Sequence, residues 1–124
     1  MALGETWFKV PESILVNIFG ELDEYVGAKD LILYLIGQVG VDGALYKALE
    51  FTGKVVEDME IEGRMTMANM AIEAGGKVGL FPADTKTLAY AKECGRDGDE
   101  QIFPDPGAEY VRRVDIDVTG MSPQ

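Results

Sequence analysis

No histidine occurs among the 124 residues, and only one cysteine, Cys94, does. Those two shortages remove the usual zinc ligand sets, every histidine-based activation of a nucleophile and any internal disulfide. Bases are scarce as well, eleven lysines and arginines against twenty-two acids, for a formal charge of −11. Such a charge repels phosphate backbones and anionic lipid surfaces, so nucleic acid is not an expected partner. No apolar run approaches the ~18 residues of a membrane-spanning helix, and Met1-Ala2-Leu3-Gly4-Glu5 lacks the basic segment and apolar stretch of a targeting signal. A cytoplasmic protein with no membrane partner is expected. Cys94 itself reads as a bland residue near a helix end. Chemistry must come from carboxylates, amides and hydroxyls, or from another polypeptide.

What is present fits one globular domain, residues 1–124, with 47% hydrophobic and 27% charged residues. After an extended lead-in at Glu5 to Pro11, Ile14, Val16 and Ile18 alternate with Ser13 and Asn17, while Leu15 and Phe19 add apolar bulk on the other side. A strand covered on both faces is predicted there. A helix follows from Gly27, with Asp30 placed where a carboxylate favours its free N–H groups. Gly37, Gly40 and Gly43 match no phosphate-binding spacing and read as helix termination and a close turn. Tyr46 to Thr52 is a second strand and Val78 to Phe81 a third, short one. Asp84 caps a helix from Thr85 to Cys94. Residues 96–107 form an exposed loop, and Glu109 to Val118 forms a final edge strand with one wet side. The alternation of strand and helix predicts an α/β fold, a three-layer α/β/α sandwich with a mainly parallel sheet of about four strands. Sites in such sheets gather where strands end, which draws attention to the stretch from Phe51 to Asn69 and to Phe81–Asp84.

Between the second and third strands, residues 62–76 read as a helix that is apolar nearly all round, the pattern of a helix buried between layers, ended by Gly75-Gly76. Its polar exceptions, Glu62, Thr66, Asn69 and Glu73, fall at spacings of four, three and four and share one narrow stripe. Thr and Asn in mid-helix compete for backbone hydrogen bonds, so their use on this stripe invites a role. An ordinary solvated face is the plain alternative. Asp42 and Asp84 are turn and cap residues by the same standard.

Several stretches together resemble a known family: Trp7-Phe8-Lys9-Val10-Pro11-Glu12, Ala28-Lys29-Asp30, Gly40-Val41-Asp42-Gly43-Ala44, Leu49-Glu50-Phe51-Thr52-Gly53 and Arg64-Met65-Thr66-Met67-Ala68-Asn69-Met70-Ala71-Ile72-Glu73. In that order they are similar to the large subunit of 3-isopropylmalate dehydratase, of the aconitase superfamily, with homoaconitase a close relative. The resemblance covers nearly the whole chain but only one internal domain of a longer subunit, its second. It implies a hydro-lyase of leucine biosynthesis that interconverts small hydroxy-acids by dehydration and rehydration at a [4Fe-4S] cluster. It further implies partners in the remaining domains of the subunit and in a separate small subunit. The family's three cluster cysteines lie in the segment that follows, beyond Ser122-Pro123-Gln124, so no cofactor or metal ligand is expected in this chain. Many members carry cysteine at the position of Ala68, which is not a cluster ligand. Two active-site positions do fall here: they match Asn69 and Glu73, which in the family take part in hydrogen bonding around the iron-bound water and substrate oxygens. Glu62 and Thr66 stay with the solvated reading. The chain alone is expected to be inactive. A reading of another class is a stand-alone acidic binding module that kept the fold and lost the chemistry, and flanking sequence separates the two.

Overall fold

A computed structural model describes residues 2–124. Its centre is β1 (Ser13–Phe19), paired in parallel with β2 (Ala48–Thr52) on one side and β4 (Arg112–Asp117) on the other. The short β3 (Val78–Leu80) extends the sheet beyond β2, giving four parallel strands in the order β3-β2-β1-β4. The α/β class and the parallel sheet are those expected from the sequence.

Register decides which side is core. Ile14 lies opposite Leu49, Val16 opposite Phe51 and Ile18 opposite Ile116, so period-two side chains from three strands share one buried face. Onto it pack Leu31, Ile32 and Leu35 of α1 (Ala28–Val39), Val55 and Val56 of α2 (Lys54–Asp58), and Met67 of α3 (Ile61–Met70). Asp30 accepts the Gly27 N–H at 2.8 Å and the Gln124 N–H at 2.8 Å, which hold its carboxyl below the usual range. Gly79 allows α3 to lie close to β3, since a Cβ there would come 2.9 Å from the Ala68 Cα. Phe51 and Phe81 stack with centroids 4.8 Å apart.

The other face of the sheet is covered more thinly. Leu15 is half-buried and Phe19, Val78 and Leu80 keep 40%, 39% and 42% exposure, so β1 is sealed on one side and not on both as its composition predicts. The fourth helix, α4 (Thr85–Glu93), packs against α3 and buries no residue fully. The chain then returns to the far edge through an extended stretch. Ile102 bridges Ala83, the Val111 N–H reaches the Ser13 carbonyl at 3.0 Å, and burial together with the nearby Glu50 carboxylate pushes the Tyr110 phenol up.

Several elements differ from the sequence reading, and β4 starts at Arg112, not at the predicted Glu109. β2 starts at Ala48 because Tyr46 has φ 56°, which no strand residue adopts. The long helix stops being α-helical at Met70 and tightens into a 3₁₀ turn, Ala71–Ala74, closed by Gly75 at φ 82°. α2 was hidden in the sequence by its brevity and by the β-branched pair Val55-Val56, which favours strand. Nor is the predicted 62–76 helix buried all round: Met65 on α3 is 48% and Ile72 on the 3₁₀ turn 69% exposed.

α3 is fastened by a residue whose burial its charge conceals. Arg64 is 3% exposed, and all five of its N–H groups are engaged. Nη1 donates to Asp84 Oδ1 at 2.9 Å and Thr87 Oγ1 at 3.1 Å, and Nη2 donates to Asp84 Oδ2 at 2.8 Å and the Glu57 carbonyl at 3.1 Å. Nε takes the Met59 carbonyl at 3.2 Å. Asp84 also accepts the Thr87 N–H at 3.0 Å, the cap predicted for it. The Arg64 guanidinium, helped by that N–H, pulls the Asp84 carboxyl down to about 2.

A depressed carboxylate contributes stability that is complete above its unfolded pKa and disappears as pH falls through the folded one. For Asp84 that contribution is about 2 kcal/mol, lost between roughly pH 4 and pH 2. In urea denaturation series, the stability gap between the parent and Asp84→Asn should be full at neutral pH and close across that window; a gap independent of pH contradicts the assignment. Arg64→Ala should lower stability by about 3 kcal/mol at neutral pH, because it leaves a partly buried carboxylate unpaired.

Candidate functional site

α3 runs back against the direction of the strands. Its first turns, with Arg64, stand beside Asp84 just after β3, at the carboxyl ends of the strands. Its far end stands at the opposite rim, where the Ala74 and Gly75 carbonyls accept the N–H groups of Ala44 and Tyr46 just before β2. Asn69 and Glu73 are therefore on the amino-terminal rim of the sheet. The general rule that sites collect at the carboxyl rim points away from them.

Both side chains are exposed, and so is Glu62, while Thr66 is half-buried. Thr66 gives its hydroxyl to the Glu62 carbonyl at 2.9 Å, the back-bonding that a mid-helix Thr uses when nothing else claims it. Among the described residues, neither Asn69 nor Glu73 enters a side-chain hydrogen bond or an ion pair, in contrast to Arg64 and Lys86 on either side of them in the chain. An amide and a carboxylate four residues apart thus face outward with their donors and acceptors uncommitted. They are flanked by apolar side chains that the polar pattern hid, Met65 and Ile72.

At the carboxyl rim lies a cavity of about 300 Å³ lined by Thr52, Gly53, Glu57, Asp84, Thr85 and Gln101, among others. Its strongest acid, Asp84, is already committed to Arg64 and Thr87. Asp42 sits in the turn assigned to it, its carbonyl accepting the Leu45 N–H at 3.2 Å. Cys94 is exposed at the end of α4. Among the described residues no group of three His, Cys, Asp or Glu is placed to hold a metal ion, and no helix is long and apolar enough to cross a membrane. What the amino-terminal rim offers is two exposed hydrogen-bonding side chains, Asn69 near the end of α3 and Glu73 on the 3₁₀ turn after it. Arg64 escaped the sequence reading, although its lone charge on an otherwise apolar helical side, followed by a capping Asp, is a signal that burial with a partner would produce.

The sequence model of the aconitase family (aconitate hydratase) matches residues 1–124. A 3-isopropylmalate dehydratase large subunit from Nitratidesulfovibrio vulgaris (strain Miyazaki F) is 63% identical over 123 residues, 99% of this chain and 29% of that protein. The proteins of the same name from Oleidesulfovibrio alaskensis and Moorella thermoacetica are 62% and 56% identical, over the full chain and over 29% and 30% of their own lengths. The chain thus spans about three-tenths of the curated relatives it matches. With a family match along its whole length and relatives this similar, the chain belongs to the aconitase family.

Proposed function

We propose that this chain is one domain, resembling the second, of the large subunit of a 3-isopropylmalate dehydratase-type hydro-lyase, and that it forms one wall of that enzyme's active site. The observation that carries the reading is 63% identity along 99% of the chain to a large subunit more than three times as long. On this reading the substrate is a small hydroxy-acid of leucine biosynthesis, isomerised by loss and return of water in the cytoplasm. The partners are the remaining domains of the subunit and a separate small subunit.

Asn69 and Glu73 are the residues of this wall that act. Loss of water moves a proton from the carbon chain and a hydroxyl from its neighbour, and return of water reverses both. Glu73, exposed and uncommitted, is a carboxylate able to take or return a proton at an oxygen presented from across the site. Asn69 can both donate to and accept from the same oxygens and so orient them. A [4Fe-4S] cluster goes with this class of enzyme, but this chain's residues do not fit the role of its cradle. Such a cluster needs several thiolates, and here a single exposed cysteine stands at the end of α4. Its ligands belong to cysteines elsewhere in the subunit.

In the assembled enzyme, Glu73→Gln should lower turnover ~10²–10⁴-fold, the usual contribution of a positioned acid–base group, and Asn69→Ala should cost less. In the isolated chain the same Gln substitution should change stability by no more than ~0.5 kcal/mol, as for other exposed sites. Turnover within twofold of the parent, or unfolding of the isolated chain, would show Glu73 to be structural. Anaerobic treatment of the isolated chain with iron and sulfide, followed by desalting, should leave no cluster absorbance and no dehydratase activity; stoichiometric retained iron would refute the assignment of ligands to other segments.

A further inference from the structure

Glu73 does not ride on α3 itself. It sits on the 3₁₀ turn that follows, and the end of that turn is tied to another part of the chain by three backbone rungs. Ala44 N–H donates to the Ala74 carbonyl at 3.0 Å, Tyr46 N–H to the Gly75 carbonyl at 3.1 Å, and Lys77 N–H to the Lys47 carbonyl at 2.8 Å. The segment from Gly40 to Lys47 on one side of this ladder carries backbone hydrogen bonds of its own. Within it Gly43 N–H reaches the Gly40 carbonyl, Leu45 N–H the Asp42 carbonyl and Lys47 N–H the Ala44 carbonyl, at 3.0, 3.2 and 2.8 Å. The fit is close as well, since a Cβ on Gly75 would stand 3.2 Å from the Leu45 Cα.

The middle rung depends on an unusual residue. Tyr46 has φ 56°, and among the described residues it is the one non-glycine with positive φ. A side chain of this size seldom takes the left-handed conformation, and such outliers persist where the surroundings over-determine them. Here the surroundings are visible: the phenol donates to the Lys9 carbonyl at 3.2 Å, and the ammonium groups of Lys9 and Lys77 lie 5.8 and 5.2 Å from the ring centroid. In this conformation the Tyr46 N–H lies on the ladder while its ring reaches the lead-in segment.

We propose that Tyr46 is a positioning residue of the hydro-lyase site, its left-handed backbone holding the rung that fixes the direction of Glu73. The inference rests on the role given to Glu73 above. It is selective, because Asn69 lies on α3 before the 3₁₀ turn and has no rung of the ladder beside it. Small displacements of a reacting group are costly, up to ~100-fold in rate for about 1 Å.

The test uses the complete large subunit with its small subunit, with Tyr46→Asn, Tyr46→Val and Tyr46→Pro made in the parent and in the Glu73→Gln background. Asn tolerates the left-handed region and keeps the N–H, Val keeps the N–H but resists the conformation, and Pro abolishes both. The Val variant should lose ~10-fold to ~100-fold in kcat with KM held within about twofold, Asn should restore most of it, and neither Val nor Pro should lower turnover further once Glu73 is Gln. Hydrogen exchange at the amide of residue 46 and at the Ala44 and Lys77 amides, which donate the flanking rungs, should quicken at least ~10-fold in the Val variant and not in Asn. If Pro fails to fold, Val and Asn decide alone. Parental kcat in the Val variant, or a loss undiminished in the Glu73→Gln background, overturns the proposal. Unchanged exchange overturns the ladder itself, whereas quickened exchange with a harmless Glu73→Gln shows instead that the role of Glu73 is misassigned, and the positioning role falls with it.

Discussion

A buried guanidinium with all five N–H groups paired is the constraint on which the helical layer of this molecule depends. Arg64 gathers the end of α2, the start of α3 and the N-terminus of α4 around one charge, through two backbone carbonyls, a hydroxyl and a carboxylate. A cation so far out of water is tolerable only with this degree of satisfaction, since an unpaired charge in the same place costs several kcal/mol. The geometry is also directional. A planar fork meeting Asp84 through both oxygens sets the angle of α3 against the strand that precedes α4, which a lysine, with a point charge on a flexible stem, cannot do.

That fastening is at one rim of the sheet, and the residues proposed to act are at the other. α3 is the lever between them, about ten residues of helix that bury Met67 and lie close against Gly79. On that proposal, stability sits at one end of α3 and reactivity at the other end and the turn that follows it. The 3₁₀ turn is held by its backbone ladder, and among the described residues the side chains of Asn69 and Glu73 have no hydrogen-bond partner.

Much of the fold was legible because the buried face of the sheet is written in period two, with Ile14, Val16, Ile18, Leu49 and Phe51 all in place, and because the caps and glycines at Asp84, Gly75 and Gly53 say where elements end. Asn69 and Glu73 are proposed through family resemblance, and their polar stripe alone does not separate them from a solvated face. What stayed hidden were features decided by tertiary context. Arg64 is buried because three elements converge on it, Tyr46 stands outside the strand with its N–H on a backbone ladder, and Met65 and Ile72 look like core residues but are exposed. The carboxyl-rim rule does not reach Asn69 and Glu73, since a helix returning between parallel strands has one end at each rim.

The thinly covered side of the sheet, with Phe19, Val78 and Leu80 near 40% exposure, bears on how this polypeptide behaves in concentrated solution. Apolar surface of that kind adheres to its own copies, and the two outer strands offer unpaired backbone to the same end. Opposing this is a charge of −11 on a chain of 124 residues, which keeps like molecules apart at low ionic strength and fades as salt shortens the Debye length from about 30 Å at 0.01 M to about 8 Å at 0.15 M. Colloidal behaviour is therefore set by salt before it is set by folding: dilute buffer favours dispersed molecules, and physiological ionic strength brings the bare sheet faces within reach of one another.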